Sequence, residues 1–290
     1  MKDSATEAMR ANTTSIFARD SATVDFCEAN YAVLPFVAEF HGTWSALAMT
    51  VLGVAGAHYA GAHGLARRYV LLWHSLTAVG VGTMYLHSTL AYFGQACDEL
   101  PMLMTALGLF YCCTTAEEGA VGPHAARVLA TFLCAFGAAM GAWSLSYKYM
   151  LAADINEPII FPLIFGGIMC GLIVQEVRLY LKYSARRFRR LYERAAITFA
   201  LGFGSWLVDQ TCCASVGWMQ MHAWWHLLTA ASAHYTFVWI AAVNAESSGC
   251  TLPPSLLVDP VAARLFALHG HAAAYTASYA EEGGAGRKTK

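Results

Sequence analysis

The sequence predicts an all-α membrane protein: a bundle of seven transmembrane helices with its N-terminus lumenal or extracellular and its C-terminus cytoplasmic. Three observations carry the prediction. Of the 290 residues, 57% are hydrophobic and 13% charged, against about 25% charged in a soluble domain, and the mean hydropathy is +0.44. Seven apolar runs recur along the chain, each near the ~20 residues a helix needs to cross roughly 30 Å of hydrocarbon. Lys and Arg gather in alternate loops, the asymmetry that orients such a bundle.

Residues 1–35 are polar, carry both charge signs and contain no apolar stretch followed by a small-residue cleavage site, so they are expected to be a lumenal segment and not a signal peptide. The seven spans are predicted at 36–59, 68–91, 99–116, 125–146, 158–181, 195–211 and 222–244, so that 36–244 forms the helical domain. The second holds Gly80 and Gly82, which permit close helix packing. The third is short and opens on Asp98-Glu99, so its first turn is placed at the interface. Residues 245–290 are expected to be a largely disordered cytoplasmic tail rich in Ala, Gly and Ser, with one short amphipathic helix at 255–268.

Orientation follows from the loops. Arg67 and Arg68 follow the first span, Arg127 lies after the third beside Glu117 and Glu118, and Lys182, Arg186, Arg187, Arg189, Arg190 and Arg194 follow the fifth. The opposite side holds Asp98 and Glu99, then Lys148 against Asp154 and Glu157, then an uncharged link at 212–221. The basic side is therefore cytoplasmic. This orientation brings His87, Asp98, Trp206, Asp209, His222 and His226 to one depth near the outer leaflet.

Ionisable side chains within a membrane are costly and point to function. His222 and His226 are spaced i, i+4 and share a helix face. With His87 they supply three nitrogen ligands for zinc and leave a fourth position for water, the arrangement of a hydrolytic site. Asp98 is either the cap of the third span or a general base or imidazole partner. His234 lies about 12 Å deeper than His226, and His74 about 20 Å from His87, by helix rise. His41, near the outer end of the first span, is the rival ligand; His58, His63 and His124 fall in or near cytoplasmic loops, and His269 and His271 in the tail. Asp25, Glu28, Asn30 and Glu39 group oxygen ligands suited to a hard cation such as calcium; the alternative is a solvated acidic stretch.

Of nine cysteines, Cys112, Cys113, Cys134 and Cys170 lie in apolar runs and read as small core residues. Cys27 and Cys213 both fall on the outer side, where oxidation permits a disulfide between them, with Cys212 and Cys97 as alternative partners for Cys27. A net charge of −1 and a pI near 6.8 exclude a broad basic surface for nucleic acid.

Asp25-Phe-Cys-Glu-Ala-Asn-Tyr31 and Ala38-Glu-Phe40 resemble the "DWCE-x-NY … AEFWNT-x-SN" opening of the alkaline ceramidases. Tyr85-Leu-His-Ser-Thr-Leu90 with Asp98-Glu-Leu-Pro-Met102 resembles that family's "FH-x-TL … DELPM", and Trp206-Leu-Val-Asp209 with His222-Ala-Trp-Trp-His226 resembles its "W-x-x-D … H-x-x-WH". The resemblance spans about residues 25–244. It implies a seven-helix hydrolase of the superfamily that includes the adiponectin receptors, with zinc on His87, His222 and His226 and with Asp98 assisting. It also implies calcium on Asp25, the Phe26 carbonyl, Glu28, Asn30 and Glu39, ceramide as the lipid substrate, and an endoplasmic reticulum or Golgi membrane. Thr83 stands where the family has a serine and keeps the hydroxyl that would stabilise developing charge on the amide oxygen. Phe26 for tryptophan, His41-Gly42 for "WN" and Ala46 for asparagine are the departures, and none removes a zinc ligand. Two rival readings share these residues: an adiponectin-type receptor, and a proton or metal transporter, for which only His74 and His234 offer polar groups in the cytoplasmic half.

Overall fold

The computed structural model describes residues 19–117, 119–150, 160–183 and 185–249. The helix predicted at 255–268, and Glu118, Asp154 and Glu157, lie outside these residues. Among the described residues the regular structure is helical, apart from one isolated antiparallel bridge between Leu34 and Val37. The helices are α1 (Phe40–Ser45), α2 (Leu47–Ala62), α3 (Arg67–Thr89), α4 (Tyr92–Thr114), α5 (Pro123–Met150), α6 (Ile160–Lys182), α7 (Arg186–Val216) and α8 (Met221–Ser247), with a 3₁₀ turn at Gly217–Met219. Only Ala46 separates α1 from α2, so they count as one broken helix and the described helices amount to seven. By length and composition α3, α4, residues 123–142 of α5 and 161–182 of α6 are fit to cross a membrane.

Helix α3 is central, packing against α1, α2, α4 and α8, while α7 pairs with α8 and α5 and α6 lie on α4. Leu72, Trp73 and Leu76 of α3 interlock with Phe237, Trp239, Ile240 and Val243 of α8 in the main core. Gly82 sets the α3–α4 separation. A Cβ there would stand 1.8 Å from the Cys97 carbonyl oxygen, which Pro101, having no N–H, leaves out of the α4 ladder. The paired reading for Gly80 also holds: a Cβ there would stand 2.4 Å from Thr50 Oγ1 of α2.

Two boundaries differ from the sequence reading. The third span begins at Tyr92, not at 99. Leu90 turns left-handed (φ 50°) and its N–H closes α3 on Leu86 O at 2.6 Å; Ala91 is extended and α4 starts at once. The Tyr92 N–H donates to Ser21 Oγ at 2.8 Å, so the N-terminal segment and not water meets this first turn. Asp98 is thus the seventh residue of α4 and cannot cap it. The sixth span, expected at 195–211, runs from Arg186 to Val216. Arginine is a good helix former, and buried Phe188, Leu191 and Ala195 continue the inward stripe through the charged turns. The basic "loop" is therefore mostly helix.

The segment before α1 is folded onto the outer end of α3. The last carbonyls of a helix lack intrahelical partners. Here His87 O accepts from Glu39 N (2.8 Å), Ser88 O from Ala38 N (3.0 Å), Thr89 O from Asp20 N (3.2 Å) and Leu90 O from Ala22 N (2.7 Å). Ala22, Ala38, Leu86 and Leu90 bury together beneath Val24, Phe26 and Tyr31. The Tyr31 hydroxyl donates to Asp20 Oδ1 at 3.0 Å; burial first, then this bond, pushes its phenol up to about 12.

Candidate metal centre

His87 occupies the last turn of α3, and His222 and His226 the first two turns of α8. Helix α8 begins where Gln220 adopts a left-handed conformation (φ 54°) after the 3₁₀ turn. Its first free N–H groups need acceptors, and the Asp209 carboxylate accepts from the His222 backbone. The i, i+4 spacing brings the two α8 rings to 4.6 Å between centroids, and they lie 5.0 Å (His222) and 4.8 Å (His226) from the His87 ring.

All three are buried, and one ligand nitrogen from each lies within 4.8 Å of the others. Among the described residues this is the group of three or more His, Cys, Asp or Glu side chains that meets that spacing. Glu39 Oε2 sits 2.5 Å from His87 Nδ1, so the ring donates there and presents Nε2 inward. His87 Nε2 and His222 Nδ1 are buried with no hydrogen-bond partner. Buried polar atoms are almost always satisfied, and a divalent metal of the zinc type accepts such nitrogens. The residues present therefore fit a metal.

Asp98 and Thr83 meet one turn before His87: the Thr83 hydroxyl donates to Asp98 Oδ1, with Val79 O at 2.8 Å as its other acceptor. Phe26 contributes its ring as well as its backbone, stacking on His222 at 3.8 Å and lying 4.9 Å from His87. Glu28 accepts from His41 N (2.7 Å) and Gly42 N (2.9 Å), which caps α1. Glu39 Oε1 accepts from Phe26 N at 3.4 Å, and Asn30 Oδ1 is buried without a partner. The carboxylates of Asp25, Glu28 and Glu39 do not form a group of metal-ligand spacing comparable to the histidines.

The other histidines stand apart. His41 is exposed and edges onto Phe40; His234 is buried against Trp73, 5.2 Å between ring centroids; His58, His63, His74 and His124 are exposed. Cys27 and Cys213 are joined in a disulfide, while Cys97 and Cys212 are free thiols. Asp209, 2% exposed, also accepts from Cys27 N at 3.4 Å, so one carboxylate ties the N-terminal segment to the start of α8. The sequence marked Asp209 by its depth and by the Trp206-Leu-Val-Asp209 motif, but not its partners. Ser45, whose hydroxyl lies 2.8 Å from His226 Nδ1, was not singled out, although it matches the serine of the "AEFWNT-x-SN" stretch.

The ceramidase family model matches residues 18–256. The chain is 29% identical over 221 residues to alkaline ceramidase 3 of Mus musculus, covering 72% of this chain and 79% of that protein. It is 28% identical over 257 residues to alkaline ceramidase 1 of Homo sapiens, covering 82% of this chain and 89% of that protein.

Proposed function

This chain belongs to the ceramidase family of hydrolases, and from that premise we propose that it cleaves the amide bond of ceramide, releasing a sphingoid base and a free fatty acid with the help of zinc on His87, His222 and His226. The observation that carries the reading is the convergence of three buried imidazoles, two of them with an unsatisfied ring nitrogen, at the end of an apolar helix bundle. When bound, zinc supplies Lewis acidity, acidifying a water towards pKa ~7 and polarising the amide carbonyl.

The chain's own groups supply the rest. Asp98 takes the proton released as the nucleophile attacks and returns it to the leaving amine nitrogen. The Thr83 hydroxyl, which donates to Asp98 in the resting arrangement, changes role as that happens. Once Asp98 carries the proton it can donate a hydrogen bond to Thr83 Oγ1, which frees the Thr83 O–H to hydrogen-bond the amide oxygen as charge develops there while its proton stays on Thr83. Phe26, stacked over His222, shields the centre on its N-terminal side and limits stray water. The acyl and sphingoid tails lie among the apolar helices, which gives a reason for burying this chemistry in a bilayer.

The same proposal places calcium on Asp25, the Phe26 carbonyl, Glu28, Asn30 and Glu39 as a structural ion. Its support is the partnerless Asn30 Oδ1 and the second lone pair that each Glu28 and Glu39 oxygen keeps beyond its present hydrogen bond. The reading sets the N-terminus and the metal centre on the lumenal side of an endoplasmic reticulum or Golgi membrane. The Cys27–Cys213 bond supports it, since disulfides persist in oxidising compartments, and the basic starts of α3 and α7 lie at the opposite helix ends.

The test is a product assay on purified chain with ceramide. Sphingoid base and fatty acid are expected in equal amounts, lost on chelation and restored by added zinc. A metal-replete protein that turns over no ceramide would leave the receptor reading in possession of the site.

A further inference from the structure

Helix α1 is six residues long, yet it touches two of the three histidines. Glu39 at its N-cap, Gly42 and Ser45 are spaced three apart, so they share one face. Glu39 bonds His87 Nδ1. Gly42 lets the backbone approach that ring, because a Cβ there would stand 2.6 Å from His87 Nδ1. Ser45, 9% exposed at the last position, has Oγ 2.8 Å from His226 Nδ1.

The Ser45 hydroxyl has a single proton, and Gly42 O, 3.0 Å away within the helix, can only accept it. The contacts to Gly42 O and to His226 Nδ1 are both hydrogen bonds only when Ser45 donates to the carbonyl and accepts from the imidazole. In that arrangement Nδ1 of His226 carries the ring proton and the lone pair is left on Nε2. Without that partner a neutral imidazole would divide between its two tautomers, one of which presents an N–H to the metal.

We propose that Ser45 is a positioning residue of the metal centre, holding His226 in the tautomer and orientation that offer Nε2 to zinc. It rests on the zinc reading above, and completes a pattern in which α1 fixes His87 through Glu39 and His226 through Ser45.

The experiment measures zinc affinity of the full chain in detergent by competition with a chelator, and the melting temperature of each protein without metal. Removing a partner that orients a metal ligand typically weakens affinity about 10–100-fold. S45A is expected to fall in that range and S45T to return close to the parent. T43V, which deletes a hydroxyl of the same helix bonded only to Glu39 O, is expected to bind zinc as the parent does. An S45A protein that melts like the metal-free parent and binds zinc equally well would overturn the proposal. Should S45A not fold, S45C keeps the size with a poorer acceptor, and parent affinity in S45C would overturn it equally. A parent that binds no zinc would defeat the metal reading itself, whereas parent binding with an indifferent S45A defeats the Ser45 role alone.

Discussion

Glu39 Oε2 lies 2.5 Å from His87 Nδ1, with both side chains almost wholly removed from solvent. A buried carboxylate beside an imidazole raises the ring's power as a metal ligand and fixes its orientation. Glu39 therefore belongs to the metal centre through His87, as well as to the oxygen-rich N-terminal set. Glu39→Gln keeps an acceptor and is expected to weaken zinc binding less than Glu39→Ala, for which about a 10–100-fold loss is expected. Zinc content after dialysis against graded chelator checks the order.

Asp98 sits inside α4, bonded to Thr83, so helix capping is no longer available as its reason for being there. Asp98→Asn is expected to keep zinc and to lose about 10²–10⁴ in turnover. Turnover close to the parent's would remove Asp98 from proton transfer.

Gly82 admits the Cys97 carbonyl where a methyl group would sit. Gly82→Ala has to push α3 from α4, an overpacking that costs about 1–3 kcal/mol, and it would also part Thr83 from Asp98. A lower melting temperature together with lower kcat at unchanged zinc content is the expected signature. Gly204→Ala, which faces open space, is expected to be inert in both measurements.

The Cys27–Cys213 bond closes a loop of 186 residues and anchors the segment whose Phe26 covers His222. Cys27→Ser is expected to lower stability by about 2–5 kcal/mol and to make zinc exchange faster. Thermal unfolding and metal-exchange kinetics of the variant, with and without reductant, check it; reductant should affect the parent and leave the variant unmoved.

At the other end of the bundle Lys182 bonds Glu117, with Arg178 at 3.4 Å, and these charges hold the Glu117 carboxyl below its usual range. A carboxyl depressed in the folded state stabilises it at pH values above the unfolded pKa, and that contribution is lost as pH falls through the folded value. As pH falls through and below the ordinary carboxylate range, the melting temperature of the parent is therefore expected to drop by more than that of Glu117→Gln. Equal acid sensitivity in the two proteins would show that the ion pairs at this exposed rim contribute nothing, as many such pairs do.

What the sequence by itself determined is what depends on local composition and spacing. Apolar run length gave the number of helices, and four of them have the length and apolarity to cross a membrane, while the i, i+4 spacing of His222 and His226 put both on one face without reference to any neighbour. Motif order carried the family. Where the signal was apolarity, charge misled it: Arg186–Arg194 read as a loop although the helical stripe of Phe188, Leu191 and Ala195 runs through them. Asp98 looked like a helix start because the four residues that begin α4 carry no polar signature of a cap. Only the tertiary structure could pair Glu39 with His87, Ser45 with His226, Thr83 with Asp98 and Asp209 with both Cys27 and His222. Each pair joins residues from different elements, and a hydrogen bond is decided by ångströms of approach that no periodicity encodes. The close fit at Gly82 and Gly42 is of the same kind: a glycine is visible in the chain, but what its missing side chain makes room for is set by the helix packed against it.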